Sequence, residues 1–136
     1  MDDWRSLPTF SFGDSPALAD ELAALVLAGV KTASCDHARG PEPDYPVGSR
    51  SVMLDGSGRP RCVIETLEVT LRRFDEVGDD LAFDEGEGDR SLRFWRAAHQ
   101  AYFTRAGVFA ENMPLWCERF RVVAVIDDAG GIEGPD

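Results

Sequence analysis

Two stretches of the chain carry apolar residues at helical spacing. In "FGDSPALADELAALVLAG", Leu18, Leu22, Leu25 and Val26 fall on one stripe, the 3.6-residue period of an amphipathic helix. Asp14 or Ser15 can cap its start, Pro16 suits the first turn, and Gly29 suits a left-handed stop. In "DRSLRFWRAAHQAYFTRAG" the stripe is Leu92, Trp95, His99, Tyr102 and Phe103, with Asp89 as cap and Gly107 as stop. The period changes between them. "RSVMLD", "GSGRP" and "RCVIETLEVTLRRF" read as two strands joined by a short turn around Gly56 and Gly58. In the second arm Leu67, Val69 and Leu71 alternate with Glu68, Thr70 and Arg72, which predicts one buried face. "LWCERFRVVAVI" predicts a last strand, and "KTASC" a strand start or loop. Residues 36–49 are a Pro/Gly-rich loop, and "DEVGDDLAFDEGEGD" predicts a helical turn and then a loop.

Strands outnumber helices, and a hairpin separates the two helices. That order predicts an α+β domain on a curved or barrel-like sheet rather than a doubly wound fold. No repeat or interdomain linker interrupts residues 1–126, which read as a single domain. Residues 127–136, "DDAGGIEGPD", read as a disordered acidic tail.

Composition narrows the functional classes. A chain of 136 residues suits one domain with one core. Its formal net charge of -11 argues against tight, phosphate-driven binding to duplex DNA or long RNA, which needs a basic footprint. A cleft with a few arginines can still hold a nucleotide or a short single strand. No apolar run approaches the roughly 18 residues that span a membrane. The acidic start "MDDWRSLPTF" is unlike a secretory signal. Cys35, Cys62 and Cys117 are odd in number and widely spaced, so they form neither a disulfide framework nor a zinc pair. These features predict a reduced, cytoplasmic protein without cofactor or metal.

One residue stands apart chemically. Lys31 is the chain's single lysine beside 13 arginines. It can be a solvated charge, or a cation favoured just past a helix C-terminus. Unlike arginine, it can also lose its proton near neutral pH when desolvated, and so act as a base. Ser34, three residues on, is a candidate nucleophile for such a base. In a regular strand the two would point to opposite faces, so the pair requires a bulge or a turn.

The stretches "FGDSPALADEL", "LAGVKTAS", "VGSRSVMLDGSGRPRCVIET", "FDEVGDDLAFDEGEGDRSLRFWRAAH" and "MPLWCERFRVV" resemble the activating-signal-cointegrator homology (ASCH) family, in the family's order. The resemblance implies a PUA-like fold, a small curved β-barrel flanked by helices, with a cleft suited to RNA or nucleosides. Some small members remove the acetyl group from N4-acetylcytidine. Their catalytic lysine matches Lys31, their threonine falls on Ser34, and their glutamate aligns with Glu85, with Glu87 as the alternative. Asp36 stands where those enzymes carry an arginine. The resemblance thus implies a metal-independent amidohydrolase in which Lys31 is the base, Ser34 the nucleophile and Glu85 the proton relay. Thr32, Glu87 and Arg119 are candidate substrate contacts. The implied partner is a nucleoside-like small molecule or a short single-stranded RNA. The alternative is a PUA-like module that binds RNA or a modified nucleotide, with or without ribonuclease activity.

Other chemically suggestive residues have plainer readings. His99 sits on an apolar helix stripe and reads as a satisfied core histidine. Cys35 and His37 could form a metal pair but lack further ligands. Trp95 and Trp116 could stack on a base, or fill the core. The carboxylates around Glu85 do not follow the spacing of a calcium-binding loop.

Overall fold

The computed structural model describes residues 3–133. Helix α1 (Pro16–Leu27) starts where Ser15 accepts a bond from the Leu18 N–H. The other sequence candidate for this cap, Asp14, instead pairs with Arg105 at 2.8 Å. Helix α2 (Asp79–Glu85) is the helical turn foreseen in the acidic stretch. Helix α3 (Leu92–Arg105) is capped by Ser91, which accepts from the Phe94 N–H. Asp89, the expected cap, braces that cap by accepting from the Ser91 N–H.

The strands are β1 (Thr9–Phe10), β2 (Ala33–His37), β3 (Arg50–Leu54), β4 (Pro60–Arg73), β5 (Pro114–Ile126) and β6 (Ile132–Glu133). They form one sheet in the order β1-β3-β4-β5-β2, with β6 added to β5. Only β1 and β3 run parallel. Strands β1 and β2 lie at opposite ends of this order and do not pair. The sheet is therefore open rather than a closed barrel, while the α+β class stands.

Bulges shape the sheet. One lies between Thr66 and Glu68 of β4 and puts an extra residue, Leu67, into the ladder. It breaks the alternation that predicted a buried Leu67–Val69–Leu71 face. Leu67 is 48% exposed, and Leu71, at the far end of the strand, is 59% exposed. The register leaves Thr66 and Val69 on one face, opposite Phe120 and Glu118.

The core falls into three clusters. Helix α1 packs Ala23 and Val26 on Met53, Cys62, Ile64 and Phe120. Helices α2 and α3 bring Leu81, Ala82, Trp95 and Phe103 against Ala33, Cys35, Leu115 and Cys117. A third cluster holds Val52, Val63, Ala124 and Ile126. All three cysteines are buried and free of disulfides, with Cys35 and Cys117 in sulfur–sulfur contact at 3.1 Å.

The expected disordered tail is different as far as Glu133. Asp127 accepts from the Ala129 and Gly131 N–H groups, and the chain turns back to lay β6 on β5. Residues 134–136 of that tail lie outside the described residues. Among the described residues no helix is long and apolar enough to cross a membrane.

Gly86 ends α2 in the left-handed region, at φ +73°. A Cβ there would stand 2.5 Å from the Val30 carbonyl oxygen. Glu85 is thereby held close to the segment that carries Lys31. Gly86→Ala is expected to lower stability by at least about 1 kcal/mol, from the left-handed backbone and the clash together. Denaturant unfolding checks this; an unchanged midpoint would show that the α2 end relaxes freely.

Candidate functional site

Lys31 lies between the end of α1 and the start of β2. Its N–H bonds the Leu25 carbonyl at 3.1 Å, so the segment is still leaving the helix there. Because Lys31 precedes the regular strand, the opposite-face rule does not apply. Lys31 and Ser34 line the same cavity, of about 390 Å³. The cavity lies between α1 and α3, along the edge strand β2.

The Lys31 side chain is only 2% exposed. Its ammonium donates to Glu85 Oε1 at 2.9 Å, Glu87 Oε2 at 2.9 Å and the Ala33 carbonyl at 3.0 Å. The Phe12 ring centroid lies 5.1 Å away. Glu85 is 1% exposed, and its second oxygen accepts from Trp95 Nε1 at 2.6 Å. His99 Nε2 stands 3.3 Å from that same oxygen. The imidazole stacks on Trp95 with centroids 4.2 Å apart, and its Nδ1 faces the Trp95 carbonyl at 3.0 Å. One buried network thus ties the β2 entry, the end of α2 and the middle of α3.

Protonation in this network departs from the expectation for Lys31. Desolvation is the largest single influence and pulls its pKa down, as foreseen. The charges and hydrogen bonds of Glu85 and Glu87 together outweigh it, and the net shift is upward. Lys31 is therefore a held ammonium rather than a resting base. Desolvation pushes Glu85 up, but Lys31, His99 and the Trp95 N–H overcome it and keep the carboxylate ionised. His99 is likewise pulled down by burial and raised on balance by Glu85.

Sequence reasoning named Glu85 and Glu87 as alternatives; both hold the ammonium. It placed Trp95 and His99 in the core, where they do lie, but their polar atoms serve Glu85. The available signal was a histidine and an indole four residues apart on an apolar stripe, since buried polar atoms require partners. Two proposed substrate contacts lie elsewhere. Thr32 is exposed, donates to the Asp84 carbonyl and does not line the cavity. Arg119 follows the cavity-lining Glu118, so its side chain leaves by the opposite face. There it binds Asp84 at 3.1 Å, Glu68 at 3.0 Å and Asp80 at 3.4 Å.

Glu118 lies in the stretch "MPLWCERFRVV", but the sequence did not single it out as a site residue. It lines the cavity and is the cross-strand partner of Ser34. Burial lifts its carboxyl to about 7, and the nearby charges of Asp36 and Glu85 add to the rise. Lys31 and a hydrogen bond from Thr66 oppose it.

Glu85, Glu87 and His99 each offer a ligand atom, all within 4.8 Å of one another. The Lys31 ammonium already stands 2.9 Å from both carboxylates. We read the group as an ion-pair network with its cation supplied by the chain. The remaining cavity wall is aromatic and acidic. Phe10, Phe12, Tyr45, Phe94, Tyr102 and Trp116 contribute rings, and Glu21, Asp36 and Asp44 contribute carboxylates. Arg105 is the other cation in this lining, and it is paired with Asp14. His37, the suggested partner of Cys35 in a metal pair, lines the same wall.

The chain is thus an α+β domain whose open, mixed sheet carries at its edge a ligand-sized cavity and a buried lysine–carboxylate network. The model of the ASCH domain matches residues 8–124, and the chain belongs to that family. It is similar to the crystal structure of an ASCH domain from Lactobacillus crispatus JV V101, with 35% identity and a TM-score of 0.80. That match covers 88% of this chain and 81% of the other. It is also similar to protein EF3133 from Enterococcus faecalis V583, with 29% identity and a TM-score of 0.78, covering 87% of this chain and 77% of that one. No functionally curated protein matches the chain.

Two predictions follow from the charge arrangement. Lys31→Met leaves two carboxylates facing each other without their cation, and is expected to cost about 3–5 kcal/mol. Adding Glu85→Gln should restore part of that loss. A double-mutant cycle in urea measures the coupling, and simple additivity would mean that the pair is not energetically linked. Glu118 titrates at about 7 in the folded protein, against 4.5 for an ordinary glutamate. A raised carboxyl contributes stability that is present below the unfolded pKa and lost as pH rises through the folded one. Stability should therefore decline between about pH 4.5 and pH 7, and Glu118→Gln should flatten that decline in a series of thermal melts.

Proposed function

We propose that this protein is a small hydrolase that cleaves the acyl–nitrogen bond of an acylated amine on a nucleoside-like molecule. The observation that carries this reading is the Ser34 hydroxyl on the wall of the same cavity as the buried Lys31–Glu85 pair. A fixed positive charge near the developing oxyanion and the exclusion of water both favour attack of a serine on an amide. The aromatic wall suits a flat heterocycle, which stacks on rings without regard to sequence. The acidic lining suits a neutral or cationic ligand better than one bearing phosphates.

The roles differ from those implied by the family resemblance. Ser34 attacks the acyl carbon. Lys31 supplies positive charge next to the reacting group, where charge develops on the acyl oxygen. Glu85 holds the ammonium in place and is itself set by Trp95 and His99. Glu87, at the cavity side of the ammonium, is placed to meet the substrate.

A second reading has its own observation. Every N–H of the Lys31 ammonium is already bonded within the protein. In that reading the network only shapes a recognition pocket, and the domain binds a modified nucleotide or short RNA without chemistry.

Incubation of the chelator-treated protein with N4-acetylcytidine, and with other short acylated nucleosides and amines, tests the choice. The hydrolase reading expects release of the free amine, loss of at least about a hundredfold in rate with Ser34→Ala, and retained turnover with Ser34→Thr. Lys31→Arg should lose activity, because a planar guanidinium does not fit the three acceptors around a compact ammonium. Absence of turnover on every acylated compound, with saturable binding of a nucleotide or RNA, would establish the recognition reading instead.

A further inference from the structure

We propose that Glu118 is the proton acceptor for Ser34, a catalytic role that neither the family motif nor the Lys31 network assigns to it. The inference rests on the hydrolase reading above and supplies the base that the reading lacks. Strands β2 and β5 run antiparallel, and Ser34 and Glu118 are directly opposite in the register. Residues so paired have side chains on the same face, with Cβ atoms about 4.5–5.5 Å apart. Both line the cavity. A glutamate side chain is long enough to bring its carboxylate to a serine hydroxyl across such a separation. Lys31 cannot serve, because its three N–H groups are held by Glu85, Glu87 and the Ala33 carbonyl. Glu85 cannot serve either, because its two oxygens are committed to Lys31 and to Trp95 and His99.

The surroundings of Glu118 suit the role. The groups that face it are Ser34 and Asp36 from β2, Thr66 from β4, Glu85 from α2, Lys31 from the entry to β2, and Tyr45 from the loop before β3. Burial and the two acidic neighbours favour its neutral form, while Lys31 and Thr66 favour the carboxylate. The balance leaves it titrating at about 7, where it can both take and return a proton. In the acylation step the Glu118 carboxylate takes the Ser34 hydroxyl proton as Oγ bonds to the acyl carbon. The carbon–nitrogen bond breaks, and Glu118 returns the proton to the leaving amine. In the second step Glu118 takes a proton from water, and the hydroxide attacks the acyl-serine. The carbon–Oγ bond breaks, and Ser34 regains its proton from Glu118. The net change is amide plus water to carboxylic acid plus amine.

The test uses a probe independent of the natural substrate. An alkyl fluorophosphonate reacts with an activated serine: Oγ bonds to phosphorus, fluoride leaves, and the hydroxyl proton passes to the base. Labelling of Ser34 is followed by mass spectrometry from pH 5 to pH 9 in the wild type and in Glu118→Gln. The substitution removes the titratable carboxyl and keeps the shape, and a thermal melt at pH 8 checks that the variant is folded. The expected result is labelling of the wild type at Ser34 with a rate that rises through about pH 7, and a loss of about a hundredfold in Glu118→Gln with the pH dependence gone. Added formate should restore part of the rate to Glu118→Ala, which a purely structural glutamate would not allow. Equal labelling of wild type and Glu118→Gln overturns the role of Glu118 and leaves the hydrolase reading in place. No labelling of wild-type Ser34 at any pH overturns both. Labelling as expected without turnover of any acylated nucleoside upholds Glu118 as the base and rejects only the proposed substrate.

Discussion

A single ammonium is enclosed where the sheet edge meets two helices, and much of the local structure exists to hold it. Removing Lys31 from water costs several kcal/mol, and an ion pair offsets such a cost only with good geometry and complete hydrogen bonding. The protein meets both conditions. Two carboxylates and a carbonyl take the three N–H groups, at 2.9, 2.9 and 3.0 Å. Glu85 in turn requires the Trp95 N–H and His99 to satisfy its second oxygen. The end of α2, the register of α3 and the left-handed Gly86 that brings α2 beside Val30 follow from this one demand.

The same network sets the limits of the chemistry. A lysine becomes a base when desolvation is left unopposed. Here it is opposed, so the charge stays on Lys31. Glu118 shows the complementary case. Its carboxyl is partly desolvated and lies among other acids, with only Lys31 and Thr66 opposing, and it titrates near neutrality. Two ionisable groups in one cavity, one buried and one half-buried, are thus driven to opposite behaviour by what surrounds them, a pattern that separates acid from base in many active sites.

Outside the network, the cavity wall combines rings with carboxylates, and under the proposed function that combination discriminates between ligands. Rings accept any flat heterocycle, whereas carboxylates repel phosphates and RNA backbone. The arginines lie largely on the outer surface in pairs with acids, as Arg119 does with Asp84, Glu68 and Asp80. They compensate local charge and, among the described residues, leave no basic track of the kind that long nucleic acid follows.

The sequence alone determined a good deal. Period and punctuation placed α1, α3, the hairpin and β5, because an amphipathic stripe and its caps are local properties of consecutive residues. The lone lysine and the motif around it pointed to the cavity that Lys31 and Ser34 line, since an isolated residue type stands out without any fold. Other features could not be read locally. An open or closed sheet depends on which edges meet, and the bulge that exposed Leu67 depends on how β4 pairs with β5. The protonation of Lys31 depends on Glu85 and Glu87, 54 and 56 residues away. Glu118 sits 84 positions from Ser34, and only strand register places the two side by side; electrostatics and cross-strand contact act through space, and tertiary structure alone decides which residues share it.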